Sequence, residues 1–114
     1  MKLRDLAGGV AIDAHKLTEY ALNPYNERGQ HKARVFARVL GFNQQNYAVL
    51  AEQIRVQVLE SEAEVMCIDQ FGRHVRVDLV IHGEQGQVAV VRTGWPIATD
   101  SEVAALVTLF VKEP

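Results

Sequence analysis

His31, Lys32 and Arg92 are the side chains in this sequence best suited to chemistry, and the chemistry they suit is metal-independent cleavage of a phosphodiester. That reaction needs one group to take the proton from a 2′-hydroxyl, another to protonate the leaving oxygen, and cations to stabilise the phosphorane. His31 can serve as acid or base, Lys32 and Arg92 can hold the phosphate, and Thr93 can donate a further hydrogen bond. His31 and Lys32 stand near an expected helix start, where free N–H groups favour an anion. A plain structural role competes for each of them. His31 suits a solvated first turn, Lys32, Arg34 and Arg38 suit the solvated back of a helix, and Arg92 has a cross-strand partner in Asp78. The residue types leave open whether the chain is an enzyme.

Other chemistries find less support. The four histidines, at 15, 31, 74 and 82, lack the paired spacing of a zinc site. The single cysteine, Cys67, lies among Val65, Met66 and Ile68 and is expected to be a buried, inert thiol. There is no glycine-rich phosphate loop and no nucleophile-elbow serine. No metal and no cofactor are expected.

The elements that must position these groups read clearly between 73 and 95. Val75, Val77, Leu79 and Ile81 alternate with His74, Arg76, Asp78 and His82, the period of a half-buried strand. Ala89, Val91, Thr93 and Trp95 then alternate with Val88, Val90, Arg92 and Gly94. A Glu84-Gln85-Gly86 loop with Gly86 left-handed joins them into a hairpin. It sets Val77 opposite Thr93, Val75 opposite Trp95 and Asp78 opposite Arg92. Thr93 and Trp95 then face the core, with Trp95 filling its end, and Arg92 faces away from it.

Upstream, 1–13 is expected to be an irregular or extended arm. Asp13 caps a short helix over 14–22, stopped by Asn23-Pro24. A second helix over 30–40 buries Val35, Phe36, Val39 and Leu40 and ends at Gly41. A third over 44–60 carries Tyr47, Leu50, Ala51, Ile54 and Val58 on one stripe. The first strand covers 63–69, with Gln70-Phe71-Gly72 as a three-residue loop, and the fourth covers 105–111. This order predicts an α+β fold, with the arm and three helices packed on one face of a four-stranded antiparallel meander. The 114 residues fit one domain, 1–114: arm 1–13, helical half 14–60, sheet 63–111.

Apolar residues make up 48% and charged residues 23%, with a net charge of −2, so overall charge does not attract nucleic acid. No apolar run is long enough to cross a membrane and no secretory signal opens the chain, so a cytoplasmic location is the default. The open sheet face would expose Met66, Ile68, Val80, Val88 and Val90 together. Such a patch calls for cover by the arm, a second copy or a protein partner. The apolar last strand invites pairing if it lies at the edge.

Several motifs then recur in a recognisable order: Lys16-Leu17-Thr18, Leu22-Asn23-Pro24, Arg28-Gly29, Lys32-Ala33-Arg34-Val35-Phe36 and Leu40-Gly41 in the helical half. Phe71-Gly72-Arg73, Val77-Asp78, Gly83, Gly86, Val91-Arg92-Thr93-Gly94-Trp95 and Val107-Thr108 follow in the sheet half. Over about 16–111 the chain resembles an uncharacterised bacterial domain family of unknown function. The resemblance implies small free-standing proteins related to modules at the carboxyl ends of polymorphic toxins. It brings with it a fold-level comparison with barnase, colicin and RelE-like ribonucleases. One stretch departs from the family pattern: Asp100-Ser101-Glu102-Val103-Ala104 replaces an acidic loop ending in proline, so no role is carried over there. The expected function is thus a toxin-related interaction domain with a protein partner or second copy. The alternative is a metal-independent ribonuclease acting on RNA through His31, Lys32 and Arg92.

Overall fold

Alternation of β-branched and polar residues builds the central hairpin. In the computed structural model, which describes residues 1–113, β-strands run at Gly72–His82 and Val88–Ala98 and pair antiparallel from end to end. Val77 stands opposite Thr93, Val75 opposite Trp95 and Asp78 opposite Arg92, the expected register. Val75, Val77, Leu79, Ile81, Val91, Thr93, Trp95 and Ile97 are all buried, so odd positions face the core. The Gly83 N–H donates to the Gln87 carbonyl at 2.8 Å and closes the three-residue loop. Gly86 sits there at φ +86°, a conformation that costs a residue with a side chain.

In chain order the strands are β1 (Gly9–Ala11), β2 (Glu64–Asp69), β3 (Gly72–His82), β4 (Val88–Ala98), β5 (Val103–Ala105) and β6 (Thr108–Val111). The four-stranded antiparallel sheet has the order β2-β3-β4-β6. The helices are α1 (Ala14–Lys16), α2 (Gln30–Leu40) and α3 (Tyr47–Gln57). α3 packs on β3, and α2 on β4 and β6. Leu17, Leu22, Phe36, Leu40, Phe42, Leu50, Ile54 and Val58 meet Trp95 and the inward valines in a single core. The α+β class and one-sided helical layer expected from the sequence are present.

Several local expectations need correction. The arm is ordered: Leu3–Asp5 forms a 3-10 turn with Leu3 buried, and β1 pairs parallel with β5. The strand expected over 105–111 is shorter, with only β6 in the main sheet, while β5, which overlaps the expected range at Ala105 alone, goes to the arm. The helix over 14–22 is one α-turn capped by Asp13, followed by a π-helical stretch at Leu17–Ala21. The third helix starts later than expected, because Asn43 and Asn46 exchange side-chain-to-backbone hydrogen bonds (2.7 and 3.1 Å) that hold a loop before Tyr47. It ends as a 3-10 turn at Val58–Glu60.

The β2–β3 turn also differs. Asp69 pairs with Gly72, so two residues span the turn and not three. Gly72 is a strand residue at φ +143°, and a Cβ there would stand 2.1 Å from the Ile97 carbonyl oxygen. Further along β2 the register shifts between Val65 and Cys67, with Met66 as the extra residue. The bulge reverses the alternation beyond it, so Cys67 lies opposite outward-facing His74. Cys67 is consequently exposed, contrary to the buried thiol expected.

Candidate functional site

The sheet face away from the helices carries the even positions of β3 and β4, and charge crosses its middle. The Arg92 guanidinium donates twice to Asp78, Nε to Oδ1 at 2.9 Å and Nη2 to Oδ2 at 3.0 Å. The Lys112 ammonium approaches the same carboxylate at 3.5 Å. Arg76 donates to Glu64 at 2.8 Å. The hydrogen bonds from Arg92, reinforced by its charge, hold the Asp78 carboxyl below its ordinary range, with partial burial opposing. The same contact raises Arg92.

This belt of ion pairs divides the apolar residues expected as one patch. Val80 and Val88, 51% and 57% exposed, lie toward the Gly86 loop with half-buried Val90. Met66 lies beyond the belt at the wall of a groove of about 330 Å³, shared with His74, Arg76, Arg92, Thr108 and Phe110. Ile68 pairs with Arg73, an odd position, and so falls on the helix side of the sheet, where no helix covers it. The arm covers none of them, being engaged with β5 and Ser61.

His31 and Lys32 occupy the first turn of α2 and line a different groove, of about 400 Å³, with Val35, Phe110, Val111 and Glu113. The Lys32 ammonium lies 5.6 Å from the Phe110 ring centre and 5.7 Å from that of Tyr20, a cation–π arrangement. Phe110 is opposite Arg92 in the β4–β6 register and forms a wall of both grooves. The three candidate residues thus flank one aromatic ring without sharing a cavity. The sequence did not mark Phe110 and Thr108 as site residues. Their signal was the alternation Thr108-Leu109-Phe110-Val111, usable only once β6 is known to pair with β4.

Thr93 is fully buried. Its hydroxyl donates to the Val77 carbonyl at 2.7 Å and accepts from the Trp95 indole N–H at 2.7 Å. Trp95 is likewise inaccessible, so neither offers a surface for a base or phosphate. Among the described residues, no helix is long and apolar enough to cross a membrane.

Comparison with solved structures finds this fold in a chain of the contact-dependent growth inhibition toxin–immunity protein complex from Klebsiella pneumoniae 342. The two are 19% identical with a TM-score of 0.69, over 90% of this chain and 93% of that one. At that identity the likeness is one of fold. No curated protein matches the sequence. A family model does match, over residues 2–113, nearly the whole chain. The chain therefore belongs to the family described as Domain of unknown function (DUF6883).

Proposed function

We propose that this chain is a toxin-related protein-docking domain that binds a protein partner through β2 and the adjoining open sheet face. One observation carries the reading. Every residue of β2 is exposed, with Val65 at 38%, Met66 at 49% and Ile68 at 72%. β2 is also the first strand of the sheet, so among the described residues its outer backbone edge has no strand neighbour. An edge that presents free N–H and C=O groups together with apolar side chains on both faces favours strand addition by another chain. The fold neighbour's origin in a toxin–immunity protein complex supports a protein as the partner. An exposed free thiol at Cys67 is in keeping with the reducing cytoplasm as its place of action.

The test is co-purification from the source cell with the tagged full chain. A specific protein should be recovered in stoichiometric amount with the native chain and with Val56→Lys, an exposed control on α3. Met66→Lys and Ile68→Lys should lose it. Equal recovery with all four chains, or a solitary monomer at every concentration, would refute the proposal.

A second reading, metal-independent cleavage of RNA, is favoured by the grooves on either side of Phe110. One holds His74, Arg76, Arg92 and Thr108, the other His31 and Lys32. Against it, Arg76 and Arg92 already have carboxylate partners. Incubation with mixed RNA in chelator decides. Cleavage that is lost in His31→Ala and Arg92→Ala would support this reading, and intact RNA with the native chain would remove it.

A further inference from the structure

We propose that Cys67, Asp69 and His74 bind one zinc-class divalent ion beside the β2–β3 turn. A thiol sulfur, a carboxylate oxygen and an imidazole nitrogen here all lie within 4.8 Å of one another. The fold assembles them through the Met66 bulge. Without the extra residue Cys67 would face the helix side; with it, Cys67 stands opposite His74, and Asp69, two residues on, shares their face.

The donors are also oriented. Asp69 Oδ1 accepts the Phe71 and Gly72 backbone N–H groups at 2.9 and 3.2 Å, which fixes the carboxylate. Its other oxygen, Oδ2, lies 2.9 Å from His74 Nε2. Tetrahedral zinc with bonds of about 2.0–2.3 Å sets its donors roughly 3.3–3.8 Å apart, with an oxygen–nitrogen pair near 3.4 Å. Insertion of the ion therefore needs Oδ2 and Nε2 to separate by about half an ångström. The His74 side chain is 45% exposed, so it is free to make that movement.

A thiolate with an imidazole selects zinc-class ions over magnesium or calcium, which prefer oxygen alone. On binding, the Cys67 thiol loses its proton to solvent, and thiolate plus carboxylate balance the charge of the ion. The fourth position opens to water. The site does not depend on the docking proposal.

Cobalt(II) added to the reduced full chain, under a non-thiol reductant, tests it. The native chain should develop a sulfur-to-cobalt charge-transfer band and four-coordinate visible bands, saturating at one equivalent and displaced by zinc. Cys67→Ser should lose the charge-transfer band, and His74→Ala should weaken binding by at least about tenfold. His31→Ala should bind as the native chain does. Zinc should also protect the native thiol: at free metal about ten times the dissociation constant, alkylation of Cys67 should slow about tenfold. No charge-transfer band in the native chain, undiminished affinity in His74→Ala, or an unchanged alkylation rate would each overturn the site.

Discussion

Replacing Thr93 by valine should destabilise the protein by about 2 kcal/mol, although the two side chains are nearly isosteric. The hydroxyl is fully buried and serves two partners, the Val77 carbonyl and the Trp95 indole N–H, each at 2.7 Å. Losing the first bond costs about 1 kcal/mol net, and stranding a buried indole N–H costs about 1–3 kcal/mol more. The added methyl returns roughly 0.8 kcal/mol of transfer free energy. For a domain of this length the net loss corresponds to a fall in Tm of about 8 °C. Urea unfolding followed by circular dichroism measures it, and a cycle with Trp95→Phe isolates the mechanism. Phenylalanine has no N–H to strand, so Thr93→Val should cost about 1–2 kcal/mol less in that background. A Thr93→Val protein within about 0.5 kcal/mol of the native one, or an equal cost in both backgrounds, would refute the reasoning.

Three further outcomes follow from the geometry. Gly72→Ala should destabilise by several kcal/mol, on the order of 3, since the new Cβ meets a neighbouring carbonyl at a backbone angle unsuited to alanine; thermal unfolding reads this directly. Asp78 has a folded pKa below its ordinary value because of Arg92, so its stabilisation is complete above the unfolded value of about 3.9. It is lost as pH falls through the lower folded value, and urea midpoints between about pH 6 and pH 2 should drop more steeply for the native chain than for Asp78→Asn. Cys67 should react fully with a thiol-specific disulfide reagent in the native state without denaturant, as an exposed thiol must.

The central hairpin was legible to the residue because its determinants are local. A period of two fixes which side each residue takes, and the Glu84-Gln85-Gly86 loop fixes the pairing, so the match of Asp78 with Arg92 follows from the sequence. α2 was equally plain, from an apolar stripe ended by Gly41 at φ +74°. The π-helical turn at Leu17–Ala21 and the late start of α3 were not, since they rest on local competition among hydrogen bonds whose outcome the core decides.

The remaining surprises gather at the sheet's two edges. β5 forms largely ahead of the expected last strand because the arm supplies a parallel neighbour from nearly a hundred residues upstream. The Met66 bulge inverts the facing of Cys67, and helices placed over β3, β4 and β6 leave β2 uncovered on both sides. Alternation along a strand is written in neighbouring residues, so the chain alone determined the hairpin and its Asp78–Arg92 pair. Which edge lies bare, and which side chains gather around Phe110 or His74, depend on how distant segments pack, and only the tertiary structure decided them.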